Sequence, residues 1–273
     1  MLVRVEDLDR ITSSIDHERG QLADLRAIGI EFVEPVVRQS ERFDAYHDAI
    51  ATLEARDLVY PCWCTRREIR EAASAPNESP AGDAEPELAY PGTCRELSVV
   101  ERRRREESGR PPALRLRTAG ESYSFPDSVL GTVTGRVDDV VLRRNDGVPA
   151  YNLAVVVDDA AQGVDEVVRG DDIASSTPRQ IHLQRLLGVS TPRYAHVPLV
   201  VGADGERLAK RHGAVTLADL EAIGVSAVDV RHELLDSIAP ADVVSSGATV
   251  DFRWSDVPRS RWMIPAHWQT GRP

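Results

Sequence analysis

GVPAYNLAVVVDDAAQGVDEVVRGDDIASSTPRQIHLQRLLG, residues 147–188, is the stretch whose reading decides the fold class. Its apolar run Val155-Val156-Val157 and the segment Val164 to Val168 read as strands, the second ending at Arg169-Gly170. A well-punctuated helix follows. Thr177 reads as its N-cap, Pro178 as its first residue, Gln180 as the partner closing a capping box, and Gly188 as its stop. Strands alternating with helices indicate an α/β domain with a mainly parallel sheet. In such a sheet ligands bind at the carboxyl ends of the strands. Arg169 stands at one, where it can grip a carboxylate with two parallel hydrogen bonds or pair with Asp171 or Asp172. The doublets Asp158-Asp159 and Asp171-Asp172 read as ordinary acidic residues at element ends rather than as metal ligands.

Working outward, Leu2 to Val5 reads as extended, with acidic Glu6-Asp7-Leu8-Asp9 behind it. A helix with Leu22, Leu25 and Ile28 on one face then stops at Gly29. A second helix covers about 40–56, capped by Ser40 and striped by Tyr46, Ile50 and Leu53. Residues 73–93, rich in Ala, Pro, Gly, Glu and Ser, predict a long loop. Short strands are expected near 113–118 and 137–144, with Asn145-Asp146-Gly147 as a turn, and helices at 214–222 and 226–237.

The whole chain of 273 residues is 42% hydrophobic and 28% charged, ordinary for a globular protein, with room for one large domain or two small ones. It shows no apolar run of membrane-spanning length and no secretion signal at its start, so the cytoplasm is expected. A net charge of −11 argues against nonspecific wrapping of long nucleic acid but leaves room for a local patch. Arg102 to Arg105, with Arg110, Arg115 and Arg117, offers either such a patch or a solvated helix face flanked by Glu101, Glu106 and Glu107.

All three cysteines lie between 62 and 94, which argues against a disulfide framework. Cys62-Trp63-Cys64 and Cys94 could supply three thiolates to a zinc ion that closes a loop unable to bury a core of its own. No His lies between His47 and His182, so a fourth ligand, if there is one, is expected to be another nearby residue. Tyr90 is the candidate, although spacing alone does not choose this set over three ordinary thiols. Farther on, Gly205 to Gly213 frames a basic loop containing Arg207, Lys210 and Arg211, which is either a phosphate-facing segment or a solvated turn.

Taken in order, RVEDLD (4–9), RQSERFDAY (38–46), YPCWCTRREI (60–69), YPGTC (90–94), the 147–172 segment, STPRQIHLQRLLG (176–188) and RLAKR (207–211) resemble the glutamyl branch of the class I aminoacyl-tRNA synthetases. The resemblance runs from residue 2 to about residue 225. It implies a Rossmann-like catalytic domain with a zinc-binding insertion, and ATP with Mg2+ as cosubstrate. Glu6, Tyr151 and Arg169 match the family's amino-acid-binding positions, with Arg169 the partner of the glutamate side-chain carboxylate. RLAKR is similar to the second class I signature. Lys210 thereby matches its ATP-contacting lysine, with Arg207 and Arg211 beside it, and Ala209 replaces the signature's serine. The pattern Cys62, Cys64, Tyr90, Cys94 and the short tail are similar to the subgroup that activates glutamate and attaches it to queuosine in the anticodon of tRNA(Asp). A monomer acting on glutamate, ATP and tRNA(Asp) is expected.

The family begins with a strand, a HIGH-type motif and a helix before RVEDLD, a unit of roughly 30–40 residues. No HxGH pattern occurs in this sequence. The resemblance therefore predicts a sheet incomplete at its N-terminal side and half an ATP site. Either the true start lies upstream, or the chain is a shortened, non-catalytic paralogue that binds RNA; a fragment of an ordinary glutamyl-tRNA synthetase is a third reading. The expected partition is residues 1–60 for the rest of the first catalytic half, 61–118 for the zinc-binding insertion, 119–225 for the second half with the signature loop, and 226–273 for a helical or irregular tail.

Overall fold

A computed structural model describes residues 1–9, 13–73, 90–202, 204–206, 216–238, 254, 257–265 and 268. The first half runs β1 (Leu2–Val5), α1 (Ile15–Ala27), β2 (Val33–Arg38), α2 (Phe43–Glu54), β3 (Val59–Cys62), α3 (Arg66–Ala73), α4 (Val99–Glu107) and β4 (Ala113–Leu116). There follow β5 (Ser122–Asp127), β6 (Gly131–Arg136), β7 (Val141–Arg143), α5 (Tyr151–Gln162), β8 (Glu166–Gly170), α6 (Thr177–Leu187) and β9 (Arg193–Val197). Beyond β10 (Val200–Val201) lie α7 (Leu217–Ala222), α8 (Ala227–Ile238) and β11 (Trp262–Met263).

The main core forms where three helices meet a small sheet. Tyr46, Ile50 and Leu53 of α2 bury their stripe against Leu153, Ala154 and Val156 of α5, Leu183 of α6, and Leu116 and Leu142 from β4 and β7. Among the described residues the parallel strands form separate sheets. β1 pairs in parallel with β2, and β8 in parallel with β9; β9 touches β5, which carries antiparallel β6 at its edge. The third sheet, β3-β4-β7, is antiparallel and carries the cysteine segment. Arg4 of β1 ties the first sheet to α5 through Asp159 Oδ1 and Gln162 Oε1, each at 2.8 Å. Among the described residues, no helix is long and apolar enough to cross a membrane.

Three local expectations need correction. Val155-Val156-Val157 is helix, not strand. α5 packs on both α2 and α6, so Leu153 to Val156 are all buried and the run loses the polar interruptions that betray a helix. Ser40 does not cap α2. It sits in a 3₁₀ turn, Gln39–Glu41, where its N–H and hydroxyl donate to Asp7. Nor do Thr177 and Gln180 make a capping box: α6 begins without a side-chain cap, and both side chains turn to Arg169. Gly188 does end α6, in the left-handed conformation at φ 71°, which costs glycine nothing. The predicted loop at 73–93 falls mostly outside the described residues. The arginine run lies on exposed α4, with Arg103 paired to Glu107, whereas Arg115 is buried with its guanidinium 3.8 Å over the Tyr90 ring. These arginines do not share one surface.

The doublet Asp158-Asp159 serves architecture. Asp158 is fully buried and accepts from Gln39 Nε2 (2.9 Å), Arg42 Nε (2.6 Å) and Tyr46 Oη (2.8 Å), which binds α2 to α5. Asp158→Ala leaves a buried phenol, a buried amide and the part-buried Arg42 guanidinium without their acceptor, at a cost of about 3–5 kcal/mol. Thermal unfolding should show a melting temperature lower by roughly 10 °C; an unchanged melt would mean that the network contributes nothing.

Candidate active site

Arg169 lies next to the carboxyl end of β8, and the chain turns sharply behind it. A Cβ on Gly170 would approach Asp172 Oδ1 to 2.7 Å and Leu199 Cδ2 to 2.9 Å, so a larger residue there would have to displace those two side chains. The guanidinium is held from three sides. Nε donates to His196 Nε2 at 3.0 Å, Nη1 to Gln180 Oε1 at 2.8 Å and Nη2 to Thr177 Oγ1 at 2.6 Å. Gln180 is in turn oriented by donating to Asn152 Oδ1 at 3.0 Å. Three of the five N–H groups are fixed, and the fork is preorganised for a planar anion.

Tyr151 opens α5 beside this fork. Its phenol is pushed up by burial and drawn back by the nearby Arg169 guanidinium. It is nevertheless 42% exposed, because one face borders an open cleft of about 950 Å³. Glu6, just past β1, borders the same cleft and enters the electrostatic surroundings of Tyr151. The three residues that the resemblance singles out therefore gather at one end of the parallel strands. Cys62 and Cys64 border that cleft from the side of the antiparallel sheet. Arg207, Lys210 and Arg211 lie outside the described residues.

The cysteine segment has the dimensions of a four-ligand metal site. The three Sγ atoms lie within 4.8 Å of one another, with Cys64 and Cys94 at 3.4 Å. Tyr90 Oη sits 3.3 Å from Cys62 Sγ and 3.6 Å from Cys64 Sγ. A zinc tetrahedron with ordinary bond lengths has S···S edges of about 3.8 Å and S···O edges of about 3.5 Å. The Cys94 N–H donates to Tyr90 Oη at 2.8 Å, a bond that suits a phenolate, as does the Arg115 cation over the ring. Asp138 fixes the loop by accepting from the Tyr90 N–H at 2.9 Å, and Arg179 of α6 donates to the same carboxylate.

Residues 1–231 match the family described as tRNA synthetases class I (E and Q), catalytic domain. The chain belongs to that family. Similar proteins within it carry the name glutamyl-Q tRNA(Asp) synthetase. One from Nocardia farcinica is 53% identical over 96% of this chain and 82% of its own length. One from Cutibacterium acnes is 48% identical over 87% and 70%. These relatives do not favour the readings as a non-catalytic RNA binder or as a fragment of an ordinary glutamyl-tRNA synthetase. Among solved structures, a glutamate-tRNA synthetase from Elizabethkingia anophelis superposes with a TM-score of 0.72 at 21% identity, which shows the shared fold. It covers 98% of this synthetase, which spans about three fifths (62%) of that chain.

The support behind Arg169 escaped the sequence reading. His196 is fully buried on β9, and its Nδ1 lies 2.6 Å from Asp127 Oδ2 at the end of β5. Burial pushes Asp127 up, but the N–H groups of Leu130, Val129 and His196 and the imidazole outweigh it and hold the carboxyl below the usual range. A lone His inside the apolar run YAHV of the synthetase was the available signal. A polar residue buried there needs partners.

Proposed function

We propose that this protein activates glutamate with ATP and transfers it to queuosine in the anticodon of tRNA(Asp), as the names of its relatives suggest. The observation that carries the reading is the Arg169 fork, held by His196, Gln180 and Thr177, with Tyr151 beside it and Glu6 on the same cleft as Tyr151. Arg169 takes the side-chain carboxylate, Glu6 the ammonium group, and Tyr151 orients the molecule between them. In the first step the α-carboxylate attacks the α-phosphorus of Mg2+-bound ATP and pyrophosphate leaves. Lys210, with Arg207 and Arg211 on the same loop, neutralises the charge that develops on the phosphates. In the second step a queuosine hydroxyl displaces AMP.

Zinc held by Cys62, Cys64, Tyr90 and Cys94 is structural in this reading, because four protein ligands leave no open position. The partition at 1–60, 61–118, 119–225 and 226–273, a monomeric state and a cytoplasmic location belong to the same proposal. The test is glutamate-dependent pyrophosphate exchange by the full-length protein, with label transfer to tRNA(Asp) isolated with and without queuosine. Exchange with glutamate but not glutamine, and transfer only to the queuosine-containing tRNA, is the expected result. Equal transfer to both tRNAs would refute the nucleoside assignment.

A further inference from the structure

We propose that His196, oriented by Asp127, is a positioning residue that sets the glutamate affinity of the site by holding Arg169 through an unprotonated Nε2. The inference rests on the assignment of Arg169 to the glutamate side chain. An arginine Nε can only donate, so His196 Nε2, 3.0 Å away, must accept and carries no proton. The imidazole proton therefore sits on Nδ1 and is donated to Asp127 Oδ2 at 2.6 Å. The tautomer is fixed from both sides. Thr177 Oγ1, itself an acceptor from Arg169 Nη2, lies 3.2 Å from the same Nε2 and closes the ring of contacts.

Protonating His196 would remove the acceptor and set a second cation against Arg169. The groups facing the imidazole are Asp127 from β5, Arg169 from β8, Asp171 from the turn after β8, and the Tyr194 ring stacked 6.0 Å away on β9. Burial, with Arg169, keeps the imidazole below its ordinary value against the pull of Asp127 and Asp171. The sign follows. Below about pH 6.5 the unfolded chain takes up the proton first, so this group costs stability as pH falls from there toward its folded value. A glutamate side chain stays ionised down to about pH 5, so acid weakening of its binding above that pH reports on the protein.

The test compares the wild type with His196→Gln and His196→Leu in glutamate-dependent pyrophosphate exchange from about pH 7.5 to about pH 5. Glutamine offers Oε1 to Arg169 Nε but cannot be protonated. His196→Leu is expected to raise the glutamate KM about tenfold or more while kcat changes far less. His196→Gln should keep KM within about threefold of wild type at neutral pH and lose the acid rise in KM that the wild type shows. An acid rise that persists in His196→Gln overturns the proposal, even if His196→Leu does not fold. A leucine variant that folds and keeps the wild-type KM also overturns it. Arg169→Ala is the separating control: an unchanged glutamate KM there refutes the assignment of Arg169 itself, whereas a large effect there with no effect at His196 refutes only the positioning role.

Discussion

Arg169→Ala is expected to cost glutamate activation about 2–5 kcal/mol, a loss in kcat/KM of roughly 30-fold to several thousand-fold. The magnitude follows from leaving a desolvated carboxylate without its cation. Three acceptors, His196 Nε2, Gln180 Oε1 and Thr177 Oγ1, hold the guanidinium in advance, so the entropy of ordering it is already spent when the substrate arrives. The same fork explains selectivity. Glutamine brings a neutral amide whose NH₂ cannot accept, and one arm of the fork would be left unpaired in a poorly solvated place. Arg169→Lys should recover only part of the loss, because an ammonium cannot make two parallel bonds. Pyrophosphate exchange with each amino acid is the measurement. Wild-type activity in Arg169→Ala would remove the central residue of the proposed site.

The second large effect concerns the metal. The purified protein should hold about one zinc ion per chain, and Cys94→Ser should lose it together with the fold of the segment between β3 and β4. Structural zinc sites contribute on the order of 10 kcal/mol to the modules they close, so the loss cannot be absorbed locally. Tyr90→Phe should weaken retention without abolishing it, since water can take a fourth position beside three thiolates. Metal analysis and melting curves with and without a chelator read both variants. Zinc below about half an equivalent, with no change in Cys94→Ser, would mean that the cluster is three ordinary thiols.

The legible part of this sequence was its order of motifs. Arg169 and Tyr151 could be placed because each has a chemical identity that an α/β edge can use, and the structure brings them together. What misled was local grammar read without tertiary context. Thr177, Pro178 and Gln180 spell a helix start, yet two of the three serve an arginine on a neighbouring strand. A side chain that can cap will abandon the cap when a buried cation needs an acceptor more, because a charged partner makes the stronger bond. Val155 to Val157 misled for another reason: a helix covered on two sides has no polar face to set its period. Asp127 and His196 could not have been paired from sequence, since nothing local joins residues 69 positions apart.

The buried carboxylate of Asp158 also constrains the order in which the chain can be completed during synthesis. Its partners Gln39, Arg42 and Tyr46 precede it by 119, 116 and 112 residues. At about 5–20 residues per second, they are synthesised roughly 6–24 seconds before Asp158 of α5. Through that interval α2 carries an apolar stripe with no partner helix, next to an arginine whose counter-charge has not been made. α2 therefore stays a nascent, chaperone-accessible segment until α5 has been made, and only then can this part of the core close.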